Sequence, residues 1–318
     1  MAPIEHMYVG LDVGGTFLKG ARIDGAGRVE ARIHEPIAHD SADKLLEQMA
    51  KAVERLGGGA PLRAVGVGLP GIVDHATSRV RGVPNLPALS QLEGMPLGEE
   101  LTKRMGRPAF LENDANAAGL AEAWLGAGRD AESVLFVTLG TGVGGAVILR
   151  GRLWTGHSGY SGEIGHMQLD PGGVPCGCGS RGCLETIAGR RGWARRAEEK
   201  LRSSTSTLAG KALEPAAIVE AARAGDAVAL EVVEETARAL GQALGGALNL
   251  LNVERVVVGG GVAAAGPFLL DRVVEQTRGR CWPKVFADCS FRLADLAGDA
   301  GVVGAARVAM VGLNGLGL

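Results

Sequence analysis

Residues 8-YVGLDVGGTFLKGARI-23 read as an apolar strand, a glycine turn and a second apolar strand. The pattern returns at 134-VLFVTLGTGVGGAVILR-150. Two hairpins with glycine-rich turns in a 318-residue chain predict two related domains facing a shared cleft.

The rest of the chain continues the alternation. Strand-like runs at 7-MYVGLDV-13, 64-AVGVGLP-70, 144-GGAVILR-150 and 254-ERVVVGG-260 are interleaved with helical patterns at about 41–56, 115–125, 186–202, 215–223 and 227–251. In the last of these, Val233, Ala237, Leu240, Leu244 and Leu248 form one apolar stripe. Strands alternating with amphipathic helices specify the α/β class.

Composition narrows the function classes. The chain is 46% hydrophobic and 21% charged, an ordinary globular balance with material for sizeable cores. A formal net charge of -2 implies no general attraction to nucleic acid or an anionic membrane, so anionic ligands must be held locally. No apolar run approaches the roughly 20 residues that span a bilayer. The start, MAPIEHMYVG, lacks the basic stretch and apolar core of a signal peptide, and a cytoplasmic location is expected.

The glycine turns are the first chemical signal. In 12-DVGGT-16 the N–H groups of Gly14 and Gly15 are unshielded and can form an anion-binding nest. Thr16 adds a hydroxyl donor, and Asp12 places a carboxylate at a strand end, where Mg²⁺ could be held. The turn 140-GTGVGG-145 has the same ingredients. It is neither a Walker A loop, having no Gly-Lys-Ser/Thr, nor a Rossmann fingerprint, being followed by strand residues. A third turn, 259-GGGV-262, ends a strand and is expected to open a helix, a natural place for a nucleotide.

In 111-LENDANAAGLAEAWLGAG-128, Asn113 and Asp114 follow the strand-like Pro108-Ala109-Phe110-Leu111 and precede an alanine-rich helix. Asp114 reads either as a helix N-cap or as a general base on a strand end, with Asn113 beside it binding a polar ligand. From this segment alone the capping reading is the stronger.

The third signal is sulfur. Of five cysteines, Cys176, Cys178 and Cys183 crowd into 176-CGCGSRGC-183, with His166 upstream in 161-SGEIGHMQLD-170. In a reducing compartment such a cluster points to a metal rather than disulfides. Three thiolates and an imidazole make a closed tetrahedral Zn²⁺ set, hence a structural one. Glu163 and Glu185 bracket the cluster and are candidate ligand-binding carboxylates. Cys281 and Cys289 are expected to be buried small hydrophobes, and His6, His34, His39, His75 and His157 surface residues.

In order along the chain, LDVGGT, LPGIVD, PNLP, LENDANAA, TLGTGVGGAV, GEIGH, CGCGSRGCLET and VVVGGGV resemble the ROK family of sugar kinases, and within it the bacterial glucokinases. The resemblance runs from residue 9 to about 262, and the tail also fits. It implies an actin-like ATPase fold of two ribonuclease-H-like domains around a central cleft, with a zinc-binding loop at 166–183. Residues 1–118, completed by a C-terminal helix at about 300–318, would form the small domain, and 119–299 the large one.

The activity implied is phosphoryl transfer from Mg-ATP to the 6-hydroxyl of a hexose. The resemblance makes Asp114 the general base, in place of the cap. It makes Gly71, Asn85, Asn113, Glu163, His166 and Glu185 sugar ligands with Asp114. It places Asp12, Gly14, Gly15, Thr16, Thr141 and Gly142 at the phosphates and Gly260 and Gly261 on the adenosine side. His166 would bind zinc through one ring nitrogen and sugar through the other. The resemblance also implies a homodimer.

After PNLP the glucokinases continue Gly-Trp, whereas this chain reads 88-ALSQLEG-94, which admits mannose, fructose or an N-acetylated amino sugar such as N-acetylglucosamine or N-acetylmannosamine as acceptor. ATP is expected as donor over polyphosphate because of the three glycine turns. The family's sugar-sensing repressors carry a helix-turn-helix domain ahead of the first glycine turn. The short stretch before Asp12 is expected to be too short for one, so no nucleic-acid partner is expected.

Overall fold

The computed structural model describes residues 6–83 and 86–315. The chain divides into two compact units. The first takes the residues up to Arg129, Ala146–Ser161 and those from Leu296 on; the second takes Asp130–Gly145 and Gly162–Asp295.

In the first unit, β1 (Met7–Val13), β2 (Phe17–Asp24), β3 (Val29–Pro36) and β4 (Leu62–Leu69) come first, then a small hairpin of β5 (Ile72–Asp74) and β6 (Arg79–Arg81), then β7 (Ala109–Asn113). The sheet order is β3-β2-β1-β4-β7. The β1–β2 and β2–β3 pairs are antiparallel, and β4 lies parallel to both β1 and β7.

Alternation along β1 and β4 explains the glycines of the motif. Val9, Leu11, Val13, Val65, Val67 and Leu69 share one core with the Ala42–Gly57 helix. On the opposite face Gly10 and Gly66 are register partners. A Cβ on Gly10 would collide with the Val302 carbonyl oxygen, and one on Gly66 with that of Ala305. The paired glycines thus form a flat slot in which the helix Ala300–Leu313 lies directly on the sheet. That helix meets the Asp114–Trp124 helix as closely, at Gly304 against the Ala117 carbonyl.

The second unit is built from β8 (Ser133–Leu139), the first residues of β9 (Val143–Leu149), β11 (Arg255–Gly259) and β12 (Ser290–Leu293); β10 (Arg152–Leu153) returns to the first unit. The sheet order is β10-β9-β8-β11-β12, matching β3-β2-β1-β4-β7 position for position. The 25-residue helix Ala227–Leu251 buries the predicted stripe and ends on Asn252, whose φ of 47° is left-handed. A hairpin edge, a central strand and two following strands, present twice, is the actin-like α/β arrangement expected from the resemblance. Among the described residues no helix is long and apolar enough to cross a membrane.

Three expectations need correction. The helix predicted at 186–202 is two, Leu184–Ala188 and Arg190–Leu201, broken at Gly189. A Cβ there would stand 2.7 Å from the Glu185 carbonyl oxygen and 3.0 Å from that of Thr141, so only glycine lets the chain pass. The turn 259-GGGV-262 opens a 3-10 turn, Val262–Ala265, and the α-helix Pro267–Arg278 begins only after Gly266. Cys281 and Cys289 are half-buried rather than buried, and burial raises both thiols, Cys289 to about 11.

Candidate active site

In the first unit the strand end of β7 delivers Asn113 and Asp114. Asn113, not Asp114, is the N-cap: its Oδ1 accepts from Ala115 N at 2.9 Å and Asn116 N at 3.1 Å. Its Nδ2 donates to the Gly71 carbonyl at 3.0 Å. Gly71 itself sits at φ 105°, a conformation that favours glycine. Asp114 is the first helical residue and is exposed, with Oδ1 accepting from Ala115 N at 2.8 Å. The cap duty that local reasoning gave Asp114 therefore belongs to its neighbour.

Asp12, the last residue but one of β1, is in register with Lys19. Burial raises its carboxyl above the ordinary range, against the lowering pull of Lys19. In the turn that follows, Gly14 N donates to Phe17 O at 3.0 Å, while Gly15 and Thr16 are exposed. Asn85 lies outside the described residues. The segment 88–94 folds back on itself: Leu89 and Leu92 are buried, and Glu93 Oε1 accepts from Val83 N at 2.9 Å.

In the second unit His166, Cys176, Cys178 and Cys183 offer ligand atoms that all lie within 4.8 Å of one another. Backbone bonds draw the loop tight, Cys176 N to Ser180 O at 2.8 Å and Gly182 N to Val174 O at 2.8 Å. Gly182, at φ 61°, lets the chain turn against the Asp170 carbonyl. A tetrahedral Zn²⁺ with sulfur at ~2.3 Å and nitrogen at ~2.05 Å requires edges of roughly 3.8 Å between sulfurs and roughly 3.5 Å from sulfur to nitrogen. Cys178 Sγ and Cys183 Sγ stand 3.7 Å apart, and Cys176 Sγ and His166 Nδ1 3.5 Å apart. The donor set fits zinc in chemistry and in these two edges. Burial pushes the Cys176 thiol up to about 12, a shift that a divalent cation would reverse.

The two ring nitrogens of His166 face different partners. Nδ1 faces Cys176, whereas Nε2 lies 3.7 Å from Glu163 Oε2. Burial raises the Glu163 carboxyl; His166 works against this and Glu185 with it. Glu185 Oε1 is 3.9 Å from Cys176 Sγ, and Oε2 accepts from Val143 N at 3.3 Å. The cluster and the turn carrying Thr141 and Gly142 are thereby brought together. In that turn Gly140 N donates to Gly142 O at 2.9 Å.

Gly261 lies at a cavity of ≈ 210 Å³ lined also by Pro215, Val219, Glu220, Arg223 and Ala265. Gly260, at φ 86°, lies against the backbone of Leu139, where a side chain would collide. Sequence reasoning found the glycines and the helix at 215–223, but not that this helix, Pro215–Arg223, forms the opposite wall. It also misplaced His75. His6, His34, His39 and His157 are exposed as expected, but the His75 side chain is only 28% exposed and its Nε2 is 3.2 Å from buried Glu112.

The family model described as the ROK family matches residues 8–311. A glucokinase of Halalkalibacterium halodurans is 38% identical, over 94% of this chain and 94% of its own. An N-acetylmannosamine kinase of Citrobacter koseri is 33% identical, over 94% of this chain and 97% of its own. Among solved structures, a ROK family glucokinase from Streptomyces griseus in complex with glucose and AMPPNP superposes with a TM-score of 0.81 and 32% identity, over 96% of this chain and 99% of that one. On the match of nearly its whole length, the chain belongs to the ROK family.

Proposed function

We propose that the protein is an ATP-dependent hexose kinase that transfers the γ-phosphoryl group of Mg-ATP to the 6-hydroxyl of a sugar, glucose first. The observation that carries this reading is an exposed carboxylate, Asp114, at a strand end, with its helix capped by Asn113, in a chain similar over its whole length to glucokinases.

A sugar hydroxyl is a poor nucleophile at neutral pH. Asp114 accepts its proton as the oxygen attacks the γ-phosphorus, and the remaining catalysis is positioning and charge stabilisation. Asn113, whose Oδ1 is committed to the cap, retains one Nδ2 hydrogen for a sugar oxygen. Glu163, His166 Nε2 and Glu185 are the proposed partners of other hydroxyls. The turns at Gly14–Thr16 and Thr141–Gly142 present N–H and hydroxyl donors to phosphate, and the cavity at Gly261 receives the adenosine.

Mg²⁺, held near Asp12, would offset phosphate charge. Zn²⁺ on His166, Cys176, Cys178 and Cys183 would fix the loop that orients His166 and Glu185. The likeness to an N-acetylmannosamine kinase, with 88-ALSQLEG-94 in place of Gly-Trp, favours an N-acetylated amino sugar as the second acceptor to test.

The test is ADP release with ATP against glucose, mannose, fructose, N-acetylglucosamine and N-acetylmannosamine, repeated with polyphosphate as donor. Hexose-dependent ADP formation is expected, fastest with glucose. Failure with every sugar overturns the kinase reading, and a polyphosphate rate far above the ATP rate overturns the donor. A homodimer is the expected assembly, measured by light scattering.

A further inference from the structure

A carboxylate almost wholly shut from water needs a compensating partner, because an uncompensated buried charge is costly. Glu112 is 1% exposed and immediately precedes Asn113 and Asp114. Its Oε1 accepts from Asn113 N at 2.8 Å and from Asn116 Nδ2 at 3.0 Å, so it grips the first turn of the Asp114–Trp124 helix from both sides of Asp114. Asn116 is itself only 2% exposed. Among the described residues the other oxygen, Oε2, has no hydrogen-bond partner. What it faces is His75 Nε2 at 3.2 Å, a contact of charge rather than an aligned hydrogen bond.

We propose that His75 and Glu112 are a positioning pair for the Asn113–Asp114 turn, and that loss of the His75 proton sets an alkaline limit on phosphoryl transfer. The inference rests on the kinase reading and on Asp114 as its base. Glu112 holds the turn through its hydrogen bonds, and the imidazolium is its counter-charge.

The surroundings leave His75 as that counter-charge. Asp74 lies beside it, and β6 contributes Arg79 and Arg81. Arg81 Nη2 is 3.3 Å from Asp74 Oδ2, and Arg79 Nη1 donates to the Gly94 carbonyl at 2.7 Å. Arg81 is thus turned to Asp74 and the Arg79 Nη1 to Gly94, and among the described residues Arg79 Nε has no hydrogen-bond partner. Burial lowers the His75 pKa, but Glu112 and then Asp74 raise it further, so it ends above the ordinary histidine value. A raised imidazole contributes fully below its unfolded pKa, and its contribution is lost as pH rises through the folded one. Above that pH the buried Glu112 side chain loses its counter-charge, which loosens the turn.

The experiment compares the full chain with His75→Gln, His75→Lys and Glu112→Gln. Its readouts are the pH profile of hexose-dependent ADP release, glucose affinity by calorimetry, and NMR titration of the His75 ring. In the wild type the rate is expected to fall on the alkaline side in step with the ring titration. In His75→Gln that limb disappears and kcat drops about 10-fold or more, with glucose affinity within about 3-fold, as a displaced base predicts. His75→Lys, cationic at higher pH, should recover much of kcat and move the limb upward. Glu112→Gln should lower the ring's titration point; if that variant melts early, the two His75 variants decide. Normal kcat and an unchanged alkaline limb in His75→Gln overturn the inference and leave the kinase reading standing. A wild type inactive on every hexose overturns the kinase reading first.

Discussion

Glu185 touches two things at once: its Oε2 accepts from Val143 N at 3.3 Å, in the turn proposed for phosphate, while its Oε1 stands 3.9 Å from Cys176 Sγ. One carboxylate therefore registers the glycine turn against the cysteine loop. Gly142 is what allows the approach, because a Cβ there would collide with Glu185 Oε2.

Gly142→Ala should accordingly push the Glu185 carboxylate off Val143 while leaving the fold intact, since the far end of a flexible side chain can move. Steady-state kinetics should show kcat down about 10-fold or more and KM for the sugar raised, as small misplacements in such sites are costly. Rates within 2-fold of wild type would mean that the registration has no bearing on turnover.

Asn113 and Asp114 separate structure from chemistry in adjacent residues. Asp114→Asn keeps size and some hydrogen bonding but cannot take the proton, so kcat should fall by about 10² to 10⁴ with sugar binding retained. Asn113→Ser preserves a good N-cap, so stability should stay within about 0.5 kcal/mol. Serine removes the Nδ2 that reaches Gly71, and KM for the sugar should rise. Chemical denaturation and calorimetry check the two halves separately.

How much of this was legible in the sequence depends on how far apart the deciding residues lie. The hairpin at 8–23 was legible because its alternation and its turn are local. The cluster of His166, Cys176, Cys178 and Cys183 was legible because three of its four members fall within one short loop. That Gly10 and Gly66 form a slot for the helix Ala300–Leu313 was not, since no local pattern announces what lies above a glycine. Reading Asp114 as the cap failed for a related reason: both Asn113 and Asp114 favour caps, and only the dihedral angles distinguish them. His75 was assigned to the surface because its partner Glu112 is distant in sequence and is itself indistinguishable from an ordinary strand-end carboxylate. The same holds for Pro215 and Val219, which become cavity walls only after the Pro215–Arg223 helix meets Gly261.

Acid should weaken the second unit through Asp226. Burial pulls this carboxyl up, but hydrogen bonds from Ala229 N, from Thr207 N and Oγ1 and from Ser206 Oγ outweigh it and bring it to about 2. A depressed carboxyl contributes stability above its unfolded pKa, ~3.9, and loses it as pH falls toward the folded value. Asp226→Ala should cost about 1 kcal/mol at neutral pH through the lost cap of the Ala227–Leu251 helix. It should also flatten the fall in stability between about pH 4 and pH 2. A variant that parallels wild type through that window would show that Asp226 does not govern it.

Cys176 tests the metal and its purpose together. The proposed Zn²⁺ holds a loop whose order comes from few apolar contacts: Gly177 and Gly179 have open space where a side chain would be, and Cys178 is exposed. Glycine-rich chain loses much backbone entropy on ordering, and metal–ligand bonds offset that loss. Elemental analysis of the wild type should find one zinc per chain. Cys176→Ser should retain little of it, melt several degrees lower, and bind glucose about 10-fold or more weakly, because His166 and Glu185 lose their support. Nucleotide affinity should change less, since the cavity at Gly261 is lined by other elements. A wild type without zinc removes the metal from the account. A metal-free variant that binds glucose as tightly as wild type removes its purpose, since the loop would then orient His166 and Glu185 unaided.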